Sequence, residues 1–415
     1  MRLRFTYAVW EFTLQCNLGC VHCGSRAATA RASELSTAEA LDLVAQLHEV
    51  GIREVTLIGG EAYLRGDWLI VVEAIRKAGM SCTLTTGGYG ISAAAARSMR
   101  DAGLQQVSVS IDGCRETHDF LRGKAGSWEA AFGSLRHLRD AGLPVTCNSQ
   151  INRLSAPELP LIYSDIVEAG CRAWQVAMTV PMGRAADRPE ILLQPPELLD
   201  VFPLLNELAG WAKRDGVMFF TGNNIGYYGP YEMRLRNPQG GKAIWDGCQA
   251  GTNTLGIEAD GTIKGCPSLP TSAYSGGNIR ERRLSEILET APALGMNAGQ
   301  GTPVAWEHLW GFCQSCDYAQ LCRGGCSWTA HVFFGKRGNN PYCHHRALVR
   351  DREGTRERLV LETRAAGEPF DHGVFRVIEE RADAAWPEDD ALRFRPERIQ
   401  WRREAKRPAG LRVLG

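Results

Sequence analysis

Short β-rich runs alternate with segments of helical periodicity from residue 7 to about residue 177, and this alternation limits the possible folds more than any other feature. Amphipathic segments separate six runs of strand character, at 7–14, 54–58, 82–86, 106–111, 144–151 and 173–178. The first amphipathic segment follows a candidate N-cap at Ser36 or Thr37, and helix after helix ends in Ala-Gly or Val-Gly, a common stop. This order predicts a parallel βα array. Because a complete eight-stranded barrel takes about 250 residues, we expect an α/β fold with a partial, TIM-like (β/α)6 barrel.

The length of 415 residues allows two to three domains. We expect the barrel over 1–215, a bridging segment over 216–246, a small cysteine-rich domain over 247–345 and a charged extension over 346–415. The extension contains RDREGTRERL and ERIQWRREAKR, which we interpret as helices on or beside the main body; the alternative, which we favour, is a solvated, peripheral extension.

The net charge excludes some classes of partner. Forty-seven basic and forty-seven acidic side chains cancel, so neither nucleic acid nor an anionic membrane is expected as a partner. No signal peptide and no apolar stretch of about 18 to 20 residues is present, which favours a cytoplasmic location.

Fourteen cysteines in a reducing compartment indicate metal ligands rather than disulfides. Ten of them form two clusters along the chain. The other four are scattered, and we expect packed thiols at Cys82, Cys114, Cys147 and Cys171.

Three cysteines, Cys16, Cys20 and Cys23, lie in the stretch CNLGCVHC directly after the first predicted strand. Three thiolates suit a 4Fe-4S cluster that keeps one iron open, because each iron normally takes one thiolate. The alternatives are a zinc site completed by His22 or His118 and a set of buried structural thiols. Other unusual stretches also follow strands, where ligand sites of parallel βα folds gather: GGE at 59–61, TTGG at 85–88 and SIDG at 110–113.

CNLGCVHC resembles the CxxxCxxC signature of the radical S-adenosylmethionine (SAM) enzymes. The resemblance implies that Cys16, Cys20 and Cys23 hold a 4Fe-4S cluster whose open iron binds SAM and whose reduction cleaves it to a 5′-deoxyadenosyl radical. GGEAYL resembles the family's GGEP element, which implies that Gly59, Gly60 and Glu61 hold the SAM amino group, with Ala62 in place of the usual proline.

Four further residues receive SAM-binding roles from the same resemblance. SIDG resembles the segment that contacts the ribose, which implies Ser110 and Asp112; a strand end with a tight turn is the alternative. Arg122 suits the SAM carboxylate because a guanidinium binds carboxylates in a bidentate manner, although a surface arginine has the same sequence appearance. His22 occupies the position of an aromatic residue that packs against adenine.

The second cysteine cluster comprises Cys248, Cys266, the run CQSCDYAQLCRGGC and Cys343. Paired CxxC ligands by themselves are equally typical of zinc ribbons. The whole pattern resembles the SPASM extension of peptide-modifying radical SAM enzymes, which binds two auxiliary 4Fe-4S clusters. Position by position, the resemblance implies one cluster at Cys313, Cys316, Cys322 and Cys343, and another at Cys248, Cys266 and Cys326. The second of these clusters has only three cysteine ligands. Its fourth iron is either open or bound by a noncysteine ligand or a sulfur atom of the substrate, and these alternatives stay open.

By analogy with this family, we expect an enzyme with SAM and three 4Fe-4S clusters that oxidatively modifies, by cross-linking, a ribosomally made peptide. Expected partners are the precursor peptide, an electron donor such as flavodoxin or ferredoxin, and a separate peptide-recognition protein or direct binding by the 223–245 loop and the tail. Pro267 stands where a sulfatase-maturing relative has an aspartate base, which disfavours that reaction. Processing of a tetrapyrrole or other small molecule is the rival enzymatic function, and an iron-sulfur carrier or sensor is the nonenzymatic one.

Overall fold

A ten-stranded sheet forms the centre of the molecule. The computed structural model describes residues 5–237, 243–297, 306–387 and 390–401. The strands occur in the spatial order β10-β9-β8-β1-β2-β3-β4-β5-β6-β7, and a separate hairpin pairs β11 with β12. Their bounds are β1 Tyr7–Glu11, β2 Glu54–Ile58, β3 Ser81–Thr86, β4 Gln106–Ser110, β5 Val145–Ile151, β6 Ala173–Met178, β7 Met218–Thr221, β8 Thr254–Ile257, β9 Thr262–Lys264, β10 Ser275–Asn278, β11 Thr355–Thr363 and β12 Val374–Arg381.

The helices begin and end close to the predicted signals. Ser36 caps the first helix through a capping box with Glu39, and the predicted stops Gly51 and Gly79 have φ of 90° and 84°, a conformation that favours glycine. The bounds are α1 Thr37–Glu49, α2 Trp68–Lys77, α3 Ala93–Asp101, α4 Arg115–Arg122, α5 Ser127–Asp140, α6 Leu159–Glu168, α7 Leu198–Asp215, α8 Glu232–Arg236, α9 Thr271–Tyr274, α10 Leu284–Thr290, α11 Ala319–Cys322, α12 Ser327–Phe334 and α13 His344–Arg352.

Strands β1 to β7 are parallel neighbours in sequence order, which confirms the predicted α/β partial barrel. The stretch VMFFTG at 217–222, which has strand character in the sequence after a predicted helix at 195–214, contains β7, and β7 pairs parallel with β6 as a seventh strand. The barrel is not closed, because β1 pairs on its other edge with β8, and β7 lies at the end of the sheet. The first strand of the cysteine-rich region therefore extends the barrel sheet.

The outer face of the sheet carries the apolar core, and its inner face is open near β7. Trp174 and Phe219 lie on the helix side, with ring centroids 5.6 Å apart. Because side chains alternate along a strand, Gln175, Met218 and Phe220 point to the inner face, where all three are exposed. The interior of the barrel is thus accessible from the β7 side.

The scattered cysteines lie largely where we predicted them. Cys82, Cys147 and Cys171 are buried in the core, and Cys114 is partly buried at the start of α4. In the described part of the chain, no helix combines the length and the apolar character needed to cross a lipid bilayer.

The C-terminal extension departs from the predicted helices. α13 ends at Arg352, and after Gly354 the segment TRERLVLET forms β11, which pairs antiparallel with β12. Pairing with β12 outweighs the helix-compatible charge pattern of this segment, and the strand is buried at Arg356, Glu357 and Leu359. The stretch ERIQWRREAKR begins within a short 3₁₀ turn, Pro396–Arg398, its described residues 397–401 contain no α-helix, and residues 402–415 lie outside the described part.

A solvated, peripheral extension is also wrong, because the extension packs against the barrel. Phe375 and Phe394 are buried. Arg153, after β5, binds Glu197 at 2.9 Å and Asp390 at 3.1 Å, and Glu197 also accepts a bond of 2.6 Å from the Phe394 amide. One buried arginine therefore joins the barrel to the extension.

Replacement of Glu197 by alanine should lower the unfolding midpoint clearly. The change leaves the buried Arg153 guanidinium without one carboxylate, and loss of one partner of a buried ion pair costs about 3–5 kcal/mol. Thermal unfolding under anaerobic conditions measures this loss. The matched control is Asp383→Ala, which removes an exposed ion pair with Arg381 in the same extension and should leave the midpoint unchanged. Equal midpoints for the two variants would contradict the anchoring role.

Candidate functional site

The three-cysteine loop follows the carboxyl end of β1 and is held by the end of α4. The amides of Gly19 and Val21 donate to the carbonyls of Arg122 and Leu121, at 3.0 and 2.9 Å. Gly123 lies so close to Gly19 that a Cβ at position 123 would collide with the Gly19 carbonyl oxygen. These backbone bonds bring a loop without regular structure to a defined position at the barrel mouth.

The loop places its three thiols within electrostatic reach of one another. Burial raises the pKa of Cys16 to about 12, and the neighbouring Glu61, Cys20 and Cys23 add to the increase. Burial also raises the pKa of Cys20, against the effect of Arg122, whose Nη1 donates to its sulfur at 3.7 Å. Two free thiols that resist ionisation, Cys16 and Cys20, lie with the free thiol of Cys23 in one loop, which fits a site for a cationic metal centre that stabilises thiolates.

Glu61 lies beside this loop, at the carboxyl ends of β2 and β3. Its carboxylate, 3% exposed, accepts from the Gly87 amide at 2.7 Å and from the Thr86 hydroxyl. Burial raises its pKa to about 7, although both bonds and Arg122 act in the opposite direction. The partners Thr86 and Gly87 belong to the TTGG stretch, which the sequence marked by its position but without a role.

Gly59 and Gly60 bring the backbone before Glu61 against the start of the cysteine loop. The Gly60 amide donates to the Thr13 carbonyl at 2.7 Å, and the Glu61 amide donates to the Gln15 carbonyl at 2.8 Å. A Cβ on either glycine would collide with that backbone. The GGE stretch and the cysteine loop are thus joined without intervening side chains.

Asp112 gathers two of the predicted SAM-binding residues. Its fully buried carboxylate contacts Arg122 Nη2 at 2.6 Å and His22 Nε2 at 2.9 Å, and it accepts from the Gln150 amide at 2.8 Å. Burial by itself would raise the pKa of Asp112, but Arg122 and His22 hold it below its ordinary range. The roles in SAM binding remain predictions, and the geometry adds that Arg122 joins Asp112 to Cys20. Ser110 is buried at the end of β4.

The second cysteine cluster separates into the two sets that the SPASM resemblance implies. Burial raises the pKa of Cys326 to about 12, with Cys248 and Cys266 as the thiols that add to it. The pKa of Cys322 is raised in the same way, first by burial and then by its neighbours Cys343, Cys313 and Cys316. The four-thiol set surrounds a small cavity with Tyr228 and Tyr318 in its wall. The ligand roles of both sets remain predictions.

The three-thiol set has two polar neighbours that the sequence did not indicate. Tyr274 and Arg337 lie near enough to Cys248 for their charges to interact. Within the described residues, no three or more Cys, His, Asp or Glu side chains are arranged around a single metal ion. A four-iron cluster, in contrast, receives its ligands at four separate corners.

Comparison with known proteins gives matches over both cysteine regions. Residues 10–152 match the Radical SAM superfamily, and residues 248–317 match the SPASM family, an iron-sulfur cluster-binding domain. AdoMet-dependent heme synthase of Methanosarcina barkeri is 29% identical over 353 residues, with 81% of this chain and 95% of that protein covered. PqqA peptide cyclase of Rhizobium meliloti is 27% identical, with 86% and 90% covered.

The fold is similar to that of a solved structure, native anSMEcpe with bound AdoMet and Kp18Cys peptide. The TM-score is 0.65 at 16% identity, over 83% of this chain and 95% of that one. At this identity, the likeness concerns the fold alone. The matches over both cysteine regions show that the chain is a radical SAM protein with a C-terminal SPASM domain, and these two domains imply S-adenosylmethionine and 4Fe-4S clusters as its cofactors.

Proposed function

We propose that the protein cleaves S-adenosylmethionine reductively and uses the resulting 5′-deoxyadenosyl radical to modify a ribosomally made peptide oxidatively, by cross-linking its side chains. The bound clusters supply electron transfer, one to SAM and the auxiliary pair away from the substrate. A flavodoxin or ferredoxin in the cytoplasm is the proposed electron donor. The remaining chemistry depends on how this chain holds SAM and admits its substrate.

The observation that carries the peptide assignment is the open, apolar side of the barrel. Met218 and Phe220 on the inner face of β7 are 43% and 40% exposed, and β7 has no further strand beyond it in the described sheet. Exposed apolar side chains beside an unpaired sheet edge are typical of binding surfaces. An extended peptide suits such an entrance because it offers side chains to the surface along its length.

A peptide-modifying relative and a peptide-bound solved structure support the same substrate class. The chain resembles PqqA peptide cyclase over 86% of its length, and its fold is similar to that of anSMEcpe with a bound peptide. Two auxiliary sets of thiols fit an oxidative outcome, since a product radical must lose an electron to become a stable cross-link.

A tetrapyrrole is the second candidate substrate. AdoMet-dependent heme synthase is 29% identical to this chain and almost fully covered by it. The same open side would admit a flat, apolar macrocycle. An iron-sulfur carrier or sensor has less support, because it has no need for Gly59, Gly60 and Glu61 beside the cysteine loop.

In this proposal, each predicted site residue either holds a cluster or helps to bind SAM. Cys16, Cys20 and Cys23 hold the SAM-cleaving cluster, and Glu61 binds the SAM ammonium beside Gly59 and Gly60. Ser110 lies where the ribose is expected. Asp112 orients Arg122 and His22 through its ion pairs, so that Arg122 meets the SAM carboxylate and His22 packs near adenine. The auxiliary clusters are held by the two remaining thiol sets, Cys248, Cys266 and Cys326, and Cys313, Cys316, Cys322 and Cys343.

Coexpression with a candidate precursor peptide tests the substrate class. A peptide substrate should lose two hydrogen atoms per cross-link, measured by intact mass, and its fragmentation should locate the bond. Incubation of the same enzyme with iron-coproporphyrin is the parallel experiment. Conversion of the tetrapyrrole without any change in peptide mass would reverse the assignment.

Anaerobically reconstituted protein should contain about twelve irons, as expected for three clusters of four irons. Replacement of Cys16, Cys20 and Cys23 by alanine should remove about four of them and abolish the formation of 5′-deoxyadenosine, since that cluster has no other ligands. Iron analysis and chromatography measure both quantities. The control is Cys82→Ala, in the core, which should retain all iron; reductive SAM cleavage by the triple variant would exclude the assignment.

Glu61→Gln should weaken SAM binding and leave the iron content unchanged, because the carboxylate is assigned to the SAM ammonium and not to iron. Loss of a desolvated hydrogen bond to a charged group costs about 1.5–3 kcal/mol, or about 10- to 150-fold in dissociation constant. Equilibrium binding to the reconstituted protein measures the effect. An unchanged dissociation constant would place the ammonium elsewhere.

Phe220→Asp should weaken binding of the precursor peptide while SAM cleavage in the absence of peptide continues. Loss of an apolar contact of this size costs about 1.5–3 kcal/mol, which corresponds to about 10- to 150-fold in the peptide dissociation constant. The matched control is Ile70→Asp, because Ile70 is 52% exposed on α2. Equal peptide affinity for both variants would exclude the β7 side of the barrel as the entrance for the substrate.

A further inference from the structure

The loop of the C-terminal hairpin, residues 364–373 between β11 and β12, reaches back to the three-cysteine loop. This hairpin lies outside both family matches, which cover residues 10–152 and 248–317. The contact is made by Asp371 and by Arg26, which follows Cys23 by three residues. The two loops are 345 residues apart in the chain, so the contact depends wholly on the tertiary fold.

Arg26 is clamped between two carboxylates. Its Nε donates to Asp371 Oδ1 at 2.9 Å and its Nη2 to Asp371 Oδ2 at 3.3 Å, while Nη1 and Nη2 donate to Asp187 at 2.6 and 2.9 Å. Asp371 is 9% exposed and Asp187 is 48% exposed. Since water weakens an exposed ion pair much more than a buried one, the bond to Asp371 is the stronger constraint.

The backbone of Arg26 requires such a constraint. Its φ is 51°, in the left-handed region, where a residue with a Cβ pays a conformational cost. A residue persists in that conformation only when its surroundings hold it. The bidentate hydrogen bonds of its own guanidinium hold Arg26 in this conformation. They thereby also fix the segment that follows Cys23.

Asp371 is itself held rigidly by its own loop. Its Oδ2 accepts from the amides of Gly367 and Glu368, at 2.6 and 3.1 Å, and its carbonyl accepts from the Gly183 amide at 2.8 Å. The carboxylate therefore occupies a defined position before it meets Arg26, which is the requirement for a positioning group.

A second layer joins the same three segments. The Arg184 amide donates to the Cys23 carbonyl at 2.9 Å, and its Nε donates to the Cys20 carbonyl at 2.6 Å. Gly183 has φ of 58° and lies against the backbone of Cys23 and Gly24 with no room for a side chain. The hairpin loop, the loop after β6 and the cysteine loop thus pack as one interlocked layer.

The hairpin loop also contacts the SPASM side. His372 lies next to His331 of α12, with ring centroids 5.0 Å apart, and the Lys264 ammonium lies 4.3 Å from the centre of the Phe370 ring. Through Phe370, Asp371 and His372, the loop therefore bridges the two cysteine regions.

We propose that Asp371 is a positioning residue of the active site: through Arg26, it holds the cysteine loop in the conformation that presents Cys16, Cys20 and Cys23 to one cluster and leaves space for SAM. The C-terminal hairpin is then a functional part of the enzyme. The proposal rests on the cluster ligands proposed above and does not depend on the peptide as substrate.

The test compares Asp371→Asn with Asp383→Asn in the full chain, after reconstitution with iron and sulfide. Asp383 forms the exposed ion pair with Arg381 and serves as the matched control. We expect Asp371→Asn to retain its iron and unfolding midpoint, to change the electron paramagnetic resonance spectrum of the SAM-bound cluster, and to form 5′-deoxyadenosine about 10- to 100-fold more slowly, as for a small displacement of reacting groups. Asp383→Asn should resemble the unmodified protein in every measurement.

Wild-type spectrum and cleavage rate in Asp371→Asn would overturn the proposal. If that variant loses iron, Asp371→Glu and Arg26→Lys decide, because both keep the charge. The glutamate should restore cleavage at least partly, and the lysine, which lacks the fork of donors, should reduce it. The double variant Arg26→Gln, Asp371→Asn gives a further test. If its loss of cleavage rate is simply the sum, in free energy, of the losses in the two single variants, the two residues do not act together. None of these measurements needs a peptide, so their failure is distinct from failure of the proposed substrate.

Discussion

The placement of three thiols in one short loop, with Cys20 buried and Cys16 and Cys23 partly buried, is the constraint on which the rest of the structure depends. Burial raises the pKa of Cys16 to about 12, with further increases from its neighbours, so this thiol ionises only beside a positive centre. A loop without regular structure must also be held in place if its three thiols are to stay together. Here it is held on one side by the end of α4, through Gly19 and Val21, and on the other by the loop after β6, through Arg184. The barrel therefore acts as a frame for the cysteine loop.

Around this loop, charged groups are buried in sets rather than singly. Asp112 holds both Arg122 and His22, and Arg122 in turn reaches Cys20. Glu61, in contrast, accepts hydrogen bonds among the described residues only from the neutral donors Thr86 and Gly87, and its carboxylate forms no direct ion pair there. Burial raises its pKa to about 7, although the charge of Arg122 acts in the opposite direction. A ligand with an ammonium group would supply a cationic partner, which is the physical reason for its proposed role beside SAM.

The C-terminal extension illustrates where sequence reasoning failed. The run RDREGTRERL has the charge pattern of a solvated helix, yet Arg356 and Glu357 are buried, because Glu357 meets Arg346 at 2.6 Å and Arg356 meets Glu380 at 2.8 Å. Local charge patterns do not reveal which charges will be paired across the fold. For the same reason, no local signal identified Asp371 as the partner of Arg26.

The sequence by itself determined the βα alternation, the helix caps and stops, and the cysteine spacing that leads to the family and its cofactors, because all of these are local patterns of a few to a few tens of residues. The tertiary structure decided what depends on residues distant in the chain. It paired β7 with β6 at the open side of the barrel and joined β8 to β1. It also brought the hairpin loop to the cysteine loop. These contacts arise only when the helices and the C-terminal extension pack on the sheet, since the pairing of distant charges is set by packing and not by spacing along the chain.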